Sequence, residues 1–295
     1  MKYAAIDIGS NAIRLLINES VIGSDSTFYF KKISLTRVPV RLGKDVFKNG
    51  IVSKKNILKL IDSFKAFKLL MNVNDVTHFR ACATSAMREA KNSEEVCESI
   101  YNKTGIELEV ISGSEEAKLI FNNFNFLDLE VNENYILIDV GGGSTELTLI
   151  EKTKKIAAKS FKIGSVRQLE KQDTFQVIDE IKDWIKDMTP INHKLIAIGT
   201  GGSINKLYAL SNHKLNAPMS LKEMINTTSL ISSFSYQDRI KILKLKPDRA
   251  DVIVPSSELY QMVMKEAGAN EIIVPKFGLA DGIIYEMFIL NESNK

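Results

Sequence analysis

The sequence predicts an α/β fold made of two similar halves. Each half begins with an apolar strand, a glycine-containing turn and a second apolar strand: "AIDIGSNAIRLLI" near the N-terminus and "LIDVGGGSTEL" near the middle of the chain. Segments with helical and strand patterns then alternate in both halves, which is typical of an α/β duplication. We therefore expect two domains, residues 1–123 and 124–295, with a cleft between them.

The first half is predicted to contain three strands followed by alternating helices and strands. The opening strands lie in "KYAAIDIGSNAIRLLIN" and "TFYFKKISLTRVPVRLG", where short apolar runs are bounded by turn residues. The segment "SKKNILKLIDSFKAFKLLMN" has apolar residues at helical spacing, and Ser53 can cap its start. The strand "DVTHFRACAT", a helix from about Ser85 or Ala86, the strand "IELEVI" and a helix that begins in "SGSEEAKLIF" complete this half.

The second half is predicted to repeat this order. The segment "YILIDVGGGSTELTLIEKTKKIAAKSFKIG" indicates a strand, a glycine turn, a second strand, a charged turn and a third strand. A helix in "FQVIDEIKDWIKDM" and the strand "KLIAIGTGG" follow, and we expect further helices over 221–233 and 256–267.

Composition excludes several classes of partner. The chain has 295 residues, 44% of them hydrophobic, and its 39 basic and 36 acidic residues give a net charge of +3. Because no overall field attracts DNA, RNA or a membrane surface, we expect none of these partners, and anion recognition must be local. Two cysteines, the absence of a signal-peptide pattern and the absence of any apolar run of about 18 residues predict a cytoplasmic protein.

Three glycine-rich turns, each directly after an apolar strand, predict a phosphate site. Without Cβ atoms, their backbone N–H groups can approach an anion closely. The turns contain neither the lysine of a Walker P-loop nor the Rossmann spacing that opens a helix. The alternative is that each turn only needs a positive φ angle. The predicted phosphate-binding residues in these turns are Gly9, Ser10, Asn11, Gly141, Gly142, Gly143, Ser144, Thr145, Gly201, Gly202 and Ser203.

Acidic residues beside two of these turns predict a divalent metal ion. Asp7 and Asp139 lie at the ends of strands, where each could hold a metal ion or its water ligands. Glu146, on the strand that returns from the second turn, could point back toward Asp139. The alternative for Glu146 is an exposed strand carboxylate.

The chain resembles the exopolyphosphatase and guanosine pentaphosphate phosphohydrolase family in motifs that run in order from Ala4 to Glu286. The motifs are "AAIDIGSNAIRLLI", "RLGKDVFKNGIVS", "ATSAMREAKN", "VISGSEEAKLIF", "LIDVGGGSTEL", "KIGSVRQLE", "AIGTGGSI", "RADVI" and "FGLADGIIYE". The resemblance implies the actin-like ATPase fold with two ribonuclease H-like domains, and hydrolysis of the terminal phosphoanhydride of inorganic polyphosphate or of pppGpp. It also implies Mg²⁺ as the metal and a homodimer.

The resemblance assigns catalytic roles that the residues alone leave open. In similar enzymes the second glutamate of "SGSEEA" is the catalytic base, which selects Glu116 over Glu115. Acidic residues at a helix start are also common for dipole and capping reasons. Arg88, in "ATSAMREA", is expected to bind phosphate and take part in catalysis, and Arg249, in "RADVI", resembles an arginine directed at the phosphate chain.

The chain departs from the family pattern at two positions. Ala12 replaces a serine that the family usually has in the first turn, and Ala280 stands where an arginine is expected.

The same fold also serves ATP-dependent small-molecule kinases, but no motif for binding a second substrate is evident here. A non-catalytic sensor that binds polyphosphate or pppGpp is the other alternative, against which the retained acidic residues argue.

Overall fold

The structure is a computed structural model that describes residues 1–22, 28–127, 129–170, 174–188, 194–211, 213 and 217–293. The chain forms two compact units. The first unit contains Met1–Asn125 and the C-terminal segment from Gly278, and the second contains Phe126–Phe277.

The N-terminal part of the first unit alternates strands and helices after an opening run of three strands. Ser53 caps α2 as predicted, since its side chain accepts a hydrogen bond from the Asn56 amide. The elements are β1 (Lys2–Ile8), β2 (Ile13–Ile22), β3 (Phe28–Val38), α1 (Leu42–Asn49), α2 (Lys54–Val73), β4 (His78–Ala83), α3 (Ser85–Glu89), α4 (Ser93–Thr104), β5 (Glu109–Val110) and α5 (Gly113–Asn122).

The sheet of the first unit has the strand order β3-β2-β1-β4-β5. β1 pairs antiparallel with β2 and parallel with β4, and every residue of β1 after Lys2 is buried. Between Tyr3 and Ile8 the only charged residue of this central strand is Asp7, and the parallel strands β1, β4 and β5 all end at the same edge of the sheet.

The second unit repeats this plan. After a short 3-10 helix at Asn123–Phe126, its elements are β6 (Asn134–Val140), β7 (Thr145–Glu151), β8 (Lys154–Phe161), α6 (Ser165–Leu169), α7 (Phe175–Met188), β9 (Leu195–Thr200), α8 (Gly202–Leu210), β10 (Met219–Ser220), α9 (Leu221–Ser233), α10 (Tyr236–Lys241), α11 (Pro247–Ala250), α12 (Ile253–Glu266) and β11 (Glu271–Ile273).

The two sheets share one topology. The second sheet has the order β10-β11-β9-β6-β7-β8, so strands β8-β7-β6-β9-β11 correspond to β3-β2-β1-β4-β5, and β10 is an added edge strand. Each sheet also has one register irregularity between its second and third strands, at Ile17/Asn18 and at Leu149/Ile150. This common topology confirms the predicted duplication of ribonuclease H-like domains, the fold of actin-like ATPases.

The last helix, α13 (Leu279–Ser293), packs in the first unit, against α5 and β1. At its start the Gly278 amide donates to the Asp281 carboxylate at 3.0 Å, and the Asn123 side chain donates to the Gly278 carbonyl at 3.0 Å. The sequence-based boundary, which put all of 124–295 in the second domain, differs from the compact units at this helix. Its contacts are distant in sequence, so no local pattern reveals them.

Several shorter elements also differ from the sequence predictions. The third strand was predicted to run from Thr27 to Gly43, but it ends at Val38 and α1 begins at Leu42; Thr27 lies outside the described residues. The strand predicted in "IELEVI" is reduced to two residues in β5. The predicted helix near Ser85 ends at Glu89 and is followed by a second helix, α4.

Among the residues that the structure describes, none of the helices has both the length and the apolar character that crossing a membrane requires.

Gly282→Ala tests how closely α13 approaches α5. A Cβ atom at Gly282 would lie 1.9 Å from the carbonyl oxygen of Leu119, a backbone atom that cannot move aside cheaply. We expect the substitution to lower the free energy of unfolding by about 1–3 kcal/mol, as overpacking does, despite the better helix propensity of alanine.

Gly278→Ala is the matched control, because a Cβ atom there meets nothing within 4 Å. Its free energy of unfolding in urea should change by no more than about 0.5 kcal/mol. Equal stability of the two variants would contradict the close packing at Gly282.

Candidate active site

Three chain segments with predicted site residues meet at the carboxyl edge of the first sheet. The Thr84 amide, just past β4, donates to the Ile8 carbonyl at the end of β1 at 3.1 Å. The Ile111 amide, just past β5, donates to the Ala83 carbonyl at 3.0 Å. The first glycine turn, the segment before Arg88 and the start of α5 therefore follow neighbouring strands of one sheet.

The turn from Gly9 to Ala12 is closed by a hydrogen bond from the Gly9 amide to the Ala12 carbonyl at 3.2 Å. The carbonyl groups of Ser10 and Asn11 accept hydrogen bonds from the amides of Gly43, at 2.8 Å, and Arg41, at 3.0 Å. Because the protein's own amides occupy these carbonyls, the turn does not direct them at an anion. This arrangement suits phosphate binding through N–H groups.

The turn from Gly141 to Ser144 has the same construction. The Gly141 amide donates to the Ser144 carbonyl at 2.9 Å, which closes the turn. The Gly142 carbonyl accepts from the Val166 and Arg167 amides at 2.8 and 3.0 Å. The buried Arg167 side chain donates through Nε to the Gly143 carbonyl at 2.8 Å.

The start of α6 lies directly on this turn. A Cβ atom at Gly164 would be 2.5 Å from the backbone of Gly142, so only glycine fits there. Thr145 is fully buried, and its hydroxyl donates to the Ile163 carbonyl at 2.7 Å. Its single hydroxyl hydrogen is therefore used within the unit rather than offered to a phosphate. Ser144 is also buried, at the end of the turn.

A row of polar side chains crosses the second sheet at its carboxyl edge. Asp139 is in register with Glu146 on β7 and with Thr200 on β9, and Glu146 is in register with Ser160 on β8. Directly paired residues point to the same face of a sheet. Glu146 is only 3% exposed and accepts a hydrogen bond from the Ser160 hydroxyl at 2.7 Å, which excludes the exposed-carboxylate alternative.

These residues fit a divalent cation such as Mg²⁺, which binds through one or two carboxylates and keeps several water ligands. Asp139 on β6 and Glu146 on β7 stand opposite each other and would supply the two carboxylates. Thr200 lies beside Asp139, is 1% exposed, and its Oγ1 atom has no hydrogen-bond partner in the described structure. A buried hydroxyl in that state suits a polar occupant of the site, such as an ion with its water shell.

The equivalent row in the first sheet has a different charge. Asp7 is in register with Arg14 and Cys82, and Arg14 donates to the Asp7 carboxylate at 2.5 Å. Burial raises the pKa of the Cys82 thiol to about 12, so this side chain stays neutral. Within the described residues, no group of three or more His, Cys, Asp or Glu side chains is close enough together to hold a metal ion. Asp7 as a metal ligand stays a prediction.

Glu116 and Arg88, predicted as catalytic, form an ion pair in the first unit. Arg88 Nη1 donates to Glu116 Oε2 at 2.8 Å and to the Ile111 carbonyl at 3.0 Å. Ser112 caps α5 by accepting a hydrogen bond from the Glu115 amide, which places Glu116 in the first turn. Glu116 is 8% exposed.

Glu115 points to a different cluster of charges. Its carboxylate accepts a hydrogen bond from Arg80 Nη2 at 2.7 Å, and Arg80 also bonds to Glu109 and Glu286. The hydrogen bonds to Glu109, and next to Glu115, raise the pKa of the Arg80 guanidinium above its ordinary value although burial opposes the shift. The structure therefore separates the two neighbouring glutamates: Glu115 belongs to an ionic cluster around Arg80, and Glu116 faces Arg88.

The third glycine turn lies beside Asp139. Gly201 has a φ of 114°, which disfavours other residues, and a Cβ atom there would be 3.1 Å from Asp139 Oδ1. Gly202 and Ser203 are the first residues of α8, and the Asn205 side chain donates to the Gly201 carbonyl at 2.8 Å. Arg249 lies in the short helix α11, half-buried, and its predicted contact with phosphate stays a prediction.

Sequence reasoning missed four residues that the structure places at these turns: Arg14, Arg167, Thr200 and Tyr260. Arg14 could have been found, because it pairs with Asp7 on the opposite strand of its hairpin, just as Glu146 pairs with Asp139. Thr200 precedes the third glycine turn and could have been found from its place at a strand end. Arg167 and Tyr260 reach their turns from helices far along the chain, and no local signal marks them.

Comparisons with known proteins agree with this architecture. A bifunctional 3-dehydroquinate synthase/phosphatase of Fusobacterium nucleatum is 28% identical over 96% of this chain, which spans 46% of that protein's length. Exopolyphosphatase 2 of Mycobacterium tuberculosis is 26% identical over 96% of this chain and 97% of its own length.

Solved structures show the same fold. An exopolyphosphatase from Cytophaga hutchinsonii aligns with a TM-score of 0.87 at 23% identity, covering 98% of both chains. A Ppx/GppA family member from Aquifex aeolicus aligns with a TM-score of 0.76 at 24% identity, covering 100% of this chain and 99% of its own. The family model described as the Ppx/GppA phosphatase family matches residues 20–290, and the chain therefore belongs to that family.

Proposed function

We propose that the protein hydrolyses the terminal phosphoanhydride of inorganic polyphosphate or of pppGpp, with Glu116 as the general base. The observation that carries this proposal is the ion pair between the buried Glu116 and the partly exposed Arg88 at the carboxyl edge of the first sheet. Relatives named exopolyphosphatase support polyphosphate as the substrate. A terminal phosphate is removed by water, which needs a positioned proton acceptor and cationic or N–H groups for the spreading charge.

Glu116 meets the requirements of that acceptor. Its carboxylate is held by Arg88, while its neighbour Glu115 is held elsewhere by Arg80, so only one of the two faces the proposed phosphate site. Arg88 donates through Nη1 to both the Glu116 carboxylate and the Ile111 carbonyl, which holds the guanidinium beside the proposed base. The role proposed for Arg88 is to orient Glu116 and to stabilise the charge that develops on the phosphate.

The glycine turns are proposed to bind the phosphates of the substrate. In the first two turns, amides from later helical segments occupy the carbonyl groups of Ser10, Asn11 and Gly142. The Gly9 and Gly141 amides close their own turns, so the amides that follow them are the ones proposed to bind an anion. Asp139 and Glu146, with Thr200 beside them, would hold Mg²⁺. When bound, the ion would neutralise phosphate charge and orient the phosphoanhydride.

The proposed activity is tested by phosphate release from polyphosphate, pppGpp and ATP, measured side by side with Mg²⁺ and with EDTA. We expect release from polyphosphate or pppGpp that stops in EDTA and returns when excess Mg²⁺ is added, because a second carboxylate, that of Glu146, is in register with Asp139. Unchanged release in EDTA would contradict the metal, and release from ATP alone would favour the kinase-like alternative.

Glu116→Gln tests the base. The amide keeps the size of the side chain but cannot take a proton from water, so kcat should fall by about 10²- to 10⁴-fold with little change in KM. Steady-state phosphate release under identical Mg²⁺ concentrations measures both constants.

Glu115→Gln is the matched control, since it changes the neighbouring residue in the same helical turn. Its partner Arg80 keeps bonds to Glu109 and Glu286, and Glu115 is 37% exposed, so the loss of stability should be at most about 1 kcal/mol. A larger fall in kcat for Glu115→Gln than for Glu116→Gln would show that the base is assigned to the wrong glutamate.

Thr200→Val tests the metal site. Valine has nearly the same shape, and the buried hydroxyl that it removes has no partner in the described structure, so the free energy of unfolding should not decrease. The Mg²⁺ concentration for half-maximal activity should rise by about 10-fold or more, as expected for a lost group around a metal. Titration of activity with Mg²⁺ measures this shift.

Thr228→Val provides the opposite pattern in the same unit. Thr228 is buried, donates to the Met224 carbonyl at 2.8 Å and accepts from Gln261 at 2.8 Å. Its replacement should cost about 1–2 kcal/mol of stability and leave the Mg²⁺ requirement unchanged. If Thr200→Val behaves like Thr228→Val, Thr200 has no part in a metal site.

A further inference from the structure

The pairing of β6 with β9 ends at the proposed metal site, at Asp139 and Thr200. These parallel strands pair from Asn134/Leu195 to Asp139/Thr200. Val140 is the last residue of β6, and Thr200 is the last residue of β9. A side-chain hydroxyl forms hydrogen bonds with the backbone of both residues.

The hydroxyl belongs to Tyr260 of α12, a fully buried residue. It accepts a hydrogen bond from the Val140 amide at 3.1 Å and donates one to the Thr200 carbonyl. A single oxygen thus bonds to the ends of both strands. Because Tyr260 lies on α12, these bonds tie the carboxyl ends of β6 and β9 to each other and to that helix.

Both strand ends lead directly into predicted site residues. Val140 lies between Asp139 and the glycine turn that starts at Gly141, and Thr200 precedes Gly201. A Cβ atom at Gly201 would lie 3.1 Å from Asp139 Oδ1 and 3.4 Å from the Tyr260 hydroxyl. The hydroxyl therefore lies beside the starts of both turns, where it can determine the distance between them.

We propose that Tyr260 is a positioning residue for phosphate binding, whose hydroxyl ties the ends of β6 and β9 together and so fixes the spacing between the Gly141–Gly143 turn and the Gly201–Ser203 turn. This inference rests on the proposed function, because it assigns a role to these turns in the same site. Tyr260 does not itself need to touch the substrate.

The environment keeps the hydroxyl protonated. Burial, and next the charge of Asp139, raise the pKa of Tyr260 well above its ordinary value. The phenol therefore retains the hydrogen that it donates to Thr200 at any pH at which the protein would work.

Tyr260→Phe removes only the bridging oxygen, and Tyr135→Phe is the matched control. Tyr135 is also buried, lies on the same strand β6 at its opposite end, and donates its hydroxyl to the Glu130 carbonyl at 3.2 Å. Each variant thus loses one buried-tyrosine hydroxyl, but only Tyr260→Phe alters the strand ends beside the turns.

The first measurement is steady-state phosphate release. We expect kcat/KM of Tyr260→Phe to fall by about 10- to 100-fold, with a rise in KM, because misplaced turns bind phosphate poorly. Tyr135→Phe should stay within about twofold of the unchanged protein. Equal kcat/KM in both variants, or a fall in kcat that thermal melting explains by the unfolded fraction, would overturn the proposal.

The second measurement is amide hydrogen exchange without any substrate, which does not depend on the proposed function. Exchange in peptides that cover residues 140–143 and 201–203 should be faster in Tyr260→Phe by about 10-fold and unchanged in Tyr135→Phe. Exchange equal to that of the unchanged protein at both turns would overturn the positioning role. If the unchanged protein releases no phosphate from any substrate, the proposed function fails, and the exchange result alone decides the role of Tyr260.

Discussion

The register of the two opening hairpins is the constraint on which the candidate site residues of each unit depend. In β1–β2 and in β6–β7, a tight four-residue turn fixes which residues stand opposite each other, so Asp7 meets Arg14 and Asp139 meets Glu146. A slip of one residue would turn every side chain to the other face of the sheet. The apolar residues around these positions are buried, which makes such a slip costly and holds the acidic residues at the sheet edge.

The same constraint gives the two units different chemistry. In the first unit an arginine partner neutralises the strand-end aspartate, and the nearby Glu116 is held by Arg88. In the second unit the partner is a glutamate, beside a threonine hydroxyl without a partner in the described structure. These differences agree with the roles proposed for the two units, which are proton transfer and phosphate binding in the first and cation binding in the second. Duplication supplied the framework, and substitutions at paired positions set the charge.

Hydrogen bonds within the second unit occupy polar backbone groups around its turns. Carbonyl groups of the second turn are occupied by α6 and Arg167, and the end of the β6–β9 ladder is occupied by Tyr260. Satisfying these groups from within the unit prevents the large penalty for a buried polar group without a partner. The same bonds occupy carbonyl oxygens that would repel an anion, so stability and the proposed binding function would have the same structural origin.

The sequence by itself determined the elements whose signals are local. The hairpins, the glycine turns, the Ser53 cap and the duplicated order follow from apolar periodicity and turn residues, and the position of Glu146 opposite Asp139 follows from hairpin pairing. The motif resemblance selected Glu116, but sequence spacing could not show that Arg80 holds Glu115 and Arg88 holds Glu116.

Only the tertiary structure decided the contacts between residues far apart in the chain. It placed α13 in the first unit, brought Tyr260 to the ends of β6 and β9, and left Thr200 Oγ1 without a hydrogen-bond partner among the described residues. Local patterns fix backbone conformation and the direction of side chains, because these depend on neighbouring residues. Which distant helix fills a given space depends on the packing of the whole unit, and no short segment carries that information.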